Sequence, residues 1–133
     1  MKILTTSGKR KRAIARATIR EGKGVVTING ADLSIVQPLM SKSKIREPLV
    51  LAGDVAKKYD IAVRVAGGGV SAQADACRLA VAKALTEITK NDKLKDIFLK
   101  YDRQLLVADV RRKEPSKPNR HGQARAKRQK SYR

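Results

Sequence analysis

The sequence predicts a small α+β domain, a two-layer arrangement in which helices pack a small sheet, with an extended basic tail after it. Three observations predict this. Residues 9–20 divide at period two into an apolar and a cationic face, Ile61, Val63 and Val65 share one face of residues 60–66, and Val25-Val26-Thr27-Ile28 follows a glycine turn, all as strands would. Residues 71–90 and 92–101 instead carry apolar side chains at helical spacing. Beyond Val110 no apolar period remains. A chain of 133 residues has room for one hydrophobic core, since single domains run to roughly 100–200 residues. Residues 1–109 are therefore read as a globular α/β domain with a basic N-terminal strand, and residues 110–133 as an extended cationic tail.

From Lys9 to Arg20 one strand places Ala13, Ala15, Ala17 and Ile19 on one face and Arg10, Arg12, Arg16 and Arg20 mostly on the other. The turn Glu21-Gly22-Lys23-Gly24 leads into Val25-Val26-Thr27-Ile28, and the two strands are expected to form an antiparallel hairpin. Asn29-Gly30 turns the chain again. Between Ala31 and Gly53 helices are expected, with Asp32 as a cap and with Pro38 and Pro48 restricting them. Asp60 to Ala66 is a strand with Ile61, Val63 and Val65 on one face. The glycines 67–69 end it. Ser71 is expected to cap a helix in which Cys77, Val81, Ala84, Leu85 and Ile88 share a face. Asp92 opens a shorter one with Leu94, Ile97, Phe98 and Tyr101 in register. Gln104 to Val110 is expected to be a last strand.

Charge separates the function classes. The formal net charge is +19, and its placement is uneven. Residues 1–20 carry seven Lys or Arg and no acid, residues 21–109 fourteen against eleven acids, and residues 110–133 ten against Glu114 alone. A nearly balanced middle folds like any soluble domain, while the two ends need a polyanion to supply counter-charge. Solvated surfaces normally mix both signs, and these ends do not. No apolar run exceeds four residues, far short of the ~20 needed to span a bilayer or of a signal-peptide core. Cys77 is a lone cysteine, which rules out an internal disulfide and points to a cytosolic protein.

The motifs that could carry catalysis are weak. The glycines at 67–69 before a helix resemble a phosphate cradle, but no Gly-Lys-Ser/Thr ending follows, so a tight strand-to-helix crossing is the favoured reading. His121 has no Cys, Asp or Glu cluster beside it, which leaves neither a metal site nor a triad. Cys77 lies on an apolar helix face and is assigned to the core. No cofactor is expected, and no enzyme constellation is present. Tyr59, Phe98, Tyr101 and Tyr132 are scattered, which argues against recognition of RNA by aromatic stacking. Recognition of folded RNA through its phosphates fits the composition better. The residues expected to carry it are Lys9, Arg10, Lys11, Arg12, Arg16, Arg20, Arg78, Arg111, Arg112, Lys113, Lys117, Arg120, Arg125, Lys127 and Arg128, with guanidinium groups suited to bidentate phosphate contact.

Ser7-Gly8-Lys9-Arg10-Lys11-Arg12-Ala13-Ile14-Ala15-Arg16-Ala17, the glycines 67–69 leading into Gln73-Ala74 and Arg78, and the ending Gln129-Lys130-Ser131-Tyr132-Arg133 resemble the universal small-subunit ribosomal protein nine family. The resemblance spans nearly the whole chain. Its most specific part runs from Tyr101-Asp102-Arg103 through Leu105-Leu106-Val107 and Arg111-Arg112 to Ser-Tyr-Arg, and it looks archaeal or eukaryotic, with the short N-terminus leaning archaeal. Ala72, where many members have glycine, and the segment Pro118-Asn119-Arg120-His121-Gly122 depart from the family pattern. The resemblance implies a fold similar to the second domain of ribosomal protein five, with a left-handed βαβ crossover that general handedness rules would not predict. It also implies a non-enzymatic place on ribosomal RNA in the head of the small subunit, beside other head proteins, with a tail reaching the P site. Carried over by position, Lys130, Ser131, Tyr132 and Arg133 would contact P-site tRNA.

Three rivals share the charge. A free nucleic-acid chaperone or chromatin protein needs no particular terminal sequence. A small metabolite kinase shares phosphate-binding glycine loops with the resembled fold. A membrane-surface protein could use the same polybasic segments, although Met1-Lys2 does not permit myristoylation and no prenylation signal ends the chain.

Overall fold

The computed structural model of the protein describes residues 2–119 and 124. Strands β1 (Ile3–Arg10), β2 (Ala13–Glu21), β3 (Val26–Ile28), β4 (Ala31–Asp32) and β5 (Tyr59–Ala66) form one sheet in the order β1-β2-β5-β3-β4. Helices α1 (Leu39–Ala52), α2 (Val70–Thr89) and α3 (Asp92–Tyr101) accompany it, with short 3-10 turns at Leu33–Ile35, Gly53–Lys58 and Arg103–Leu105. The α+β class expected from the sequence is the class observed.

The strand read over residues 9–20 is in fact two. Its alternation is real, because Ala13, Ala15, Ala17 and Ile19 are all fully buried, but the chain reverses at Lys11-Arg12 and Arg10 pairs with Ala13. Neither turn residue is Gly, Asn, Asp or Pro, so the usual signals of reversal are missing. Lys11 accepts a left-handed φ of 53°, a conformation that costs a non-glycine residue roughly 1–2 kcal/mol.

The expected hairpin between residues 9–20 and 25–28 does not form. β2 pairs antiparallel with β5, and β3 lies on the far side of β5, parallel to it. Asp60, at the start of β5, explains the detour. Its Oδ1 accepts the backbone N–H groups of Lys23, Gly24 and Val25 at 2.9, 3.1 and 3.0 Å, which draws the connection across the end of β5. Those donors, Val25 and Lys23 foremost, hold the Asp60 carboxyl below the usual carboxylate range against partial desolvation, helped by Gly24 and the charge of Arg20. The Asn29 side chain then continues the pairing: it receives the N–H of Val65 at 2.9 Å and donates to the Val65 carbonyl at 3.2 Å.

Helix α2 is buried on almost every side, with Ala72, Ala74, Ala76, Cys77, Leu79, Ala80, Val81, Ala82, Ala84, Leu85 and Ile88 all in the core. It lies between β1–β2 and α1, and small side chains let it approach closely. A Cβ on Gly8 of β1 would stand 2.8 Å from the backbone nitrogen of Ala80, and Thr6 donates its hydroxyl to the Ala80 carbonyl at 2.8 Å. Helix α1 forms in spite of Pro48, which is buried within it. Asp32 does act as a cap, for the Leu33–Ile35 turn, through the N–H of Ser34 at 2.9 Å. The cap position of α2, expected at Ser71, is Gly69, and that of α3 is Asn91, with Asp92 in the first turn.

Residues 104–110 are not a strand. Asp102 accepts the N–H of Gln104 at 2.9 Å and starts the Arg103–Leu105 turn, so Leu105 is buried in the core and does not pair an edge. Among the described residues no regular element follows it.

Candidate nucleic-acid interface

The sheet buries one face under α2, so β1 delivers the turn Lys11-Arg12 to one end of that helix. The glycine turn fixes the meeting point. Gly67 and Gly68 have φ of 81° and 64°, and a Cβ on Gly67 would lie 2.6 Å from the Arg12 carbonyl oxygen. Both conditions demand glycine. Gln73 of α2 donates to the Gly67 carbonyl at 3.0 Å and ties the turn to the helix. Of the two readings of this motif, the tight crossing accounts for Gly67 and Gly68, whereas Gly69 faces open space.

That open space is a concavity of about 580 Å³ lined by Arg10, Lys11, Arg12, Gly68, Gly69 and Ala72 together with Arg111, Arg112 and Lys113. Residues a hundred positions apart in sequence thus share one wall. Helix α2 opens into it with no side-chain cap and no acid in its first turn. The free N–H groups and dipole of a helix N-terminus favour an anion, and here they add to the surrounding cations.

Asp109 sets the direction of the chain at this point. Its carboxylate, whose side chain is 8% exposed, accepts a hydrogen bond from Arg10 of β1 and receives Arg111 through Nε at 3.1 Å, Nη2 at 2.7 Å and the backbone N–H at 2.9 Å. The Arg111 bonds, and then the nearby charge of Arg10, hold its carboxyl far below the usual range despite desolvation. Arg112 donates to the carbonyls of Asp109 and Arg111 at 2.7 and 3.0 Å. Lys11, Arg12, Arg112 and Lys113 line the concavity with no ion-pair partner among the described residues.

The other expected residues fall elsewhere. Arg78 is 11% exposed, forms an ion pair with Glu47 of α1 at 2.6 Å and donates a hydrogen bond to Asp102 at 3.0 Å, clasping α1 and the start of the C-terminal segment to α2. Burial tends to raise the Asp102 carboxyl, but the Gln104 N–H and the Arg78 guanidinium outweigh it and the net direction is down. Lys9, Arg16 and Arg20 are exposed on the sheet face away from α2. Lys117 pairs with Glu114 at 3.2 Å. Arg120, Arg125, Lys127, Arg128, Lys130, Ser131, Tyr132, Arg133 and His121 lie outside the described residues. Cys77 is buried and its thiol is pushed up to about 12, the state of an inert core cysteine. Among the described residues no group of His, Cys, Asp or Glu could hold a metal ion, and no helix is long and apolar enough to cross a membrane.

One participant is not evident from the sequence. Asp109 looks like one of many surface acids, and only its spacing of two from Arg111 hints at a local clasp. Arg64, exposed at an outward position of β5, lies outside this concavity.

Over residues 8–133 the chain matches the family described as Ribosomal protein S9/S16. It is 49% identical over 134 residues to the small ribosomal subunit protein uS9 of Methanococcus maripaludis strain C7, with 100% of both chains covered. The uS9 protein of strain C5 matches equally, at 49% over 134 residues and 100% of both. With a profile match across all but its first seven residues and end-to-end relatives at this identity, the chain belongs to the ribosomal protein S9/S16 family.

Proposed function

We propose that the protein is a structural, non-catalytic constituent of the small ribosomal subunit that binds its RNA through the cationic concavity at the start of α2 and through its basic C-terminal segment. The convergence of Lys11 and Arg12 with Arg112 and Lys113 around an uncapped, acid-free helix N-terminus supports this reading above any other observation. Such a site suits phosphate groups, and a polyanion offers several at once. Residues 1–109 are the folded body and residues 110–133 the extended segment that lies along RNA. The chain works in the cytoplasm, beside neighbouring proteins of the subunit head. The parallel neighbours β3 and β5, joined through α1, take the left-handed crossover hand that the family resemblance implies.

The end of the tail reaches the P site, where Lys130, Ser131, Tyr132 and Arg133 contact bound tRNA. Ribosomes assembled with a chain lacking residues 128–133 are expected to sediment normally and to lose P-site tRNA faster than intact ones. Equal tRNA retention would refute the tail's role. Absence of the full-length chain from purified small subunits would refute the ribosomal one.

A further inference from the structure

The face of the sheet turned away from α2 has no element of the described residues upon it, and its chemistry is one-sided. Outward positions of β1, β2 and β5 align in rows. Ser7, Arg16 and Arg64 form one row, and Thr5, Thr18 and Ala62 form the next, which Thr27 of β3 continues. Arg16 and Arg64 are direct cross-strand partners. Side chains so placed start about 5 Å apart at Cβ, where like charges destabilise a sheet. Neither has an ion-pair partner among the described residues, and both are exposed. Arg20 adds a third charge about 13 Å further along β2, given the rise of a strand. The acid opposite Arg20 is Asp60, whose Oδ1 is already engaged by three backbone N–H groups.

The alanines at 62 and 66 keep this face shallow, and together with Arg12, Arg16 and Arg64 they line an open concavity of about 860 Å³. No outward position of these rows is aromatic. A sheet that reads single-stranded RNA stacks bases on aromatic side chains, and this one has no means to do so. Guanidinium groups beside a row of hydroxyls instead match the phosphates and 2′-hydroxyls that double-helical RNA presents along its wide minor groove.

We propose that this open face is a second RNA contact, in which Arg16 and Arg64 jointly grip the sugar–phosphate backbone of an RNA duplex, adjoining the concavity at α2 through Arg12, which lines both. The proposal rests on the RNA-binding reading above and deepens it. A mutually repelling arginine pair maintained on a bare sheet is relieved when a phosphate enters between them.

The test uses the full chain with small-subunit ribosomal RNA and compares Arg16→Gln/Arg64→Gln with Lys11→Gln/Arg12→Gln/Arg112→Gln/Lys113→Gln. The sheet-face variant is expected to melt no lower than the parent, because it removes a repulsion. It should also flatten the slope of log affinity against log salt by about 1.4–1.8, because two phosphates are no longer neutralised, and should erase hydroxyl-radical protection on a duplex while leaving the protection due to the concavity. A parental slope and footprint for the sheet-face variant, alongside a weakened concavity variant, would overturn this proposal and leave the RNA-binding reading standing. Parental binding by both variants would defeat that reading and the proposal together. If the sheet-face variant binds RNA normally but no longer retains a purified acidic ribosomal protein, the face is a protein interface and the proposal is wrong.

Discussion

Replacing Lys11, Arg12, Arg112 and Lys113 together with glutamine tests whether the hairpin turn and the start of the C-terminal segment act as one site. These four line the same concavity and have no ion-pair partner among the described residues, unlike Arg10 and Arg111, which Asp109 engages. Each phosphate neutralised contributes about −0.7 to −0.9 to the slope of log affinity against log salt. With four fewer phosphates neutralised, the slope should flatten by about 2.8–3.6. Over a fourfold rise in salt the parent would lose roughly 50–150 times more affinity than the variant. The assay is fluorescence anisotropy of labelled head-region ribosomal RNA at a series of potassium chloride concentrations. Melting curves establish that the variant is folded. A control that removes the same charge elsewhere, from Lys90, Lys93, Lys95 and Lys100 on and around α3, should leave the slope near the parent's. If both variants flatten the slope equally, net charge alone is responsible and the concavity is not a site. If neither does, the four cations do not meet phosphates.

Three further outcomes follow from the fold. Gly8→Ala forces a methyl group against the backbone of α2, 2.8 Å from the Ala80 nitrogen, and should cost about 1–3 kcal/mol in chemical denaturation, whereas Gly69→Ala, with nothing within 4 Å, should change stability little. Phe98→Ala empties a fully buried site between α3 and the core and should lower stability by about 3–5 kcal/mol, read from the urea midpoint. Asp109 and Asp102 both titrate below the ordinary carboxylate value of 3.8 in the folded protein. Their stabilising contribution is complete above that value and fades as pH falls through the lower folded one. The stability gap between the parent and Asp109→Asn should accordingly be widest above about pH 5 and close towards about pH 2. A gap independent of pH would show that the carboxylate's charge does not hold Arg10 and Arg111.

The elements with a long, clean period are legible from residues alone. α2, α3 and β5 follow from apolar spacing, because a helix or strand that buries one face must repeat at its own period. The inward row Ala13, Ala15, Ala17 and Ile19 is equally plain. The reversal at Lys11-Arg12 is not, since alternation continues through a tight turn whose residues carry no turn chemistry. Partner choice is also illegible: β2 and β3 are neighbours in sequence, yet β5 lies between them because Asp60 captures the connecting backbone from 36 residues away. Leu105 and Leu106 illustrate a third limit, as a short apolar run reads alike whether it joins a sheet or plugs a core.

Where the positive charge lies along the chain, and that it needs a polyanion, is a property of composition and requires no coordinates. Which cations stand together is not. Arg12 lines the same concavity as Arg112 because Gly67 and Gly68 hold the hairpin turn close to the start of α2 while Asp109 binds Arg10 and Arg111 at once. Arg78, by contrast, is committed to Glu47 and Asp102 inside the protein. Charge is carried by single residues and can be counted, whereas a field strong enough to hold phosphate depends on separations of a few ångströms, and only packing between distant segments sets those.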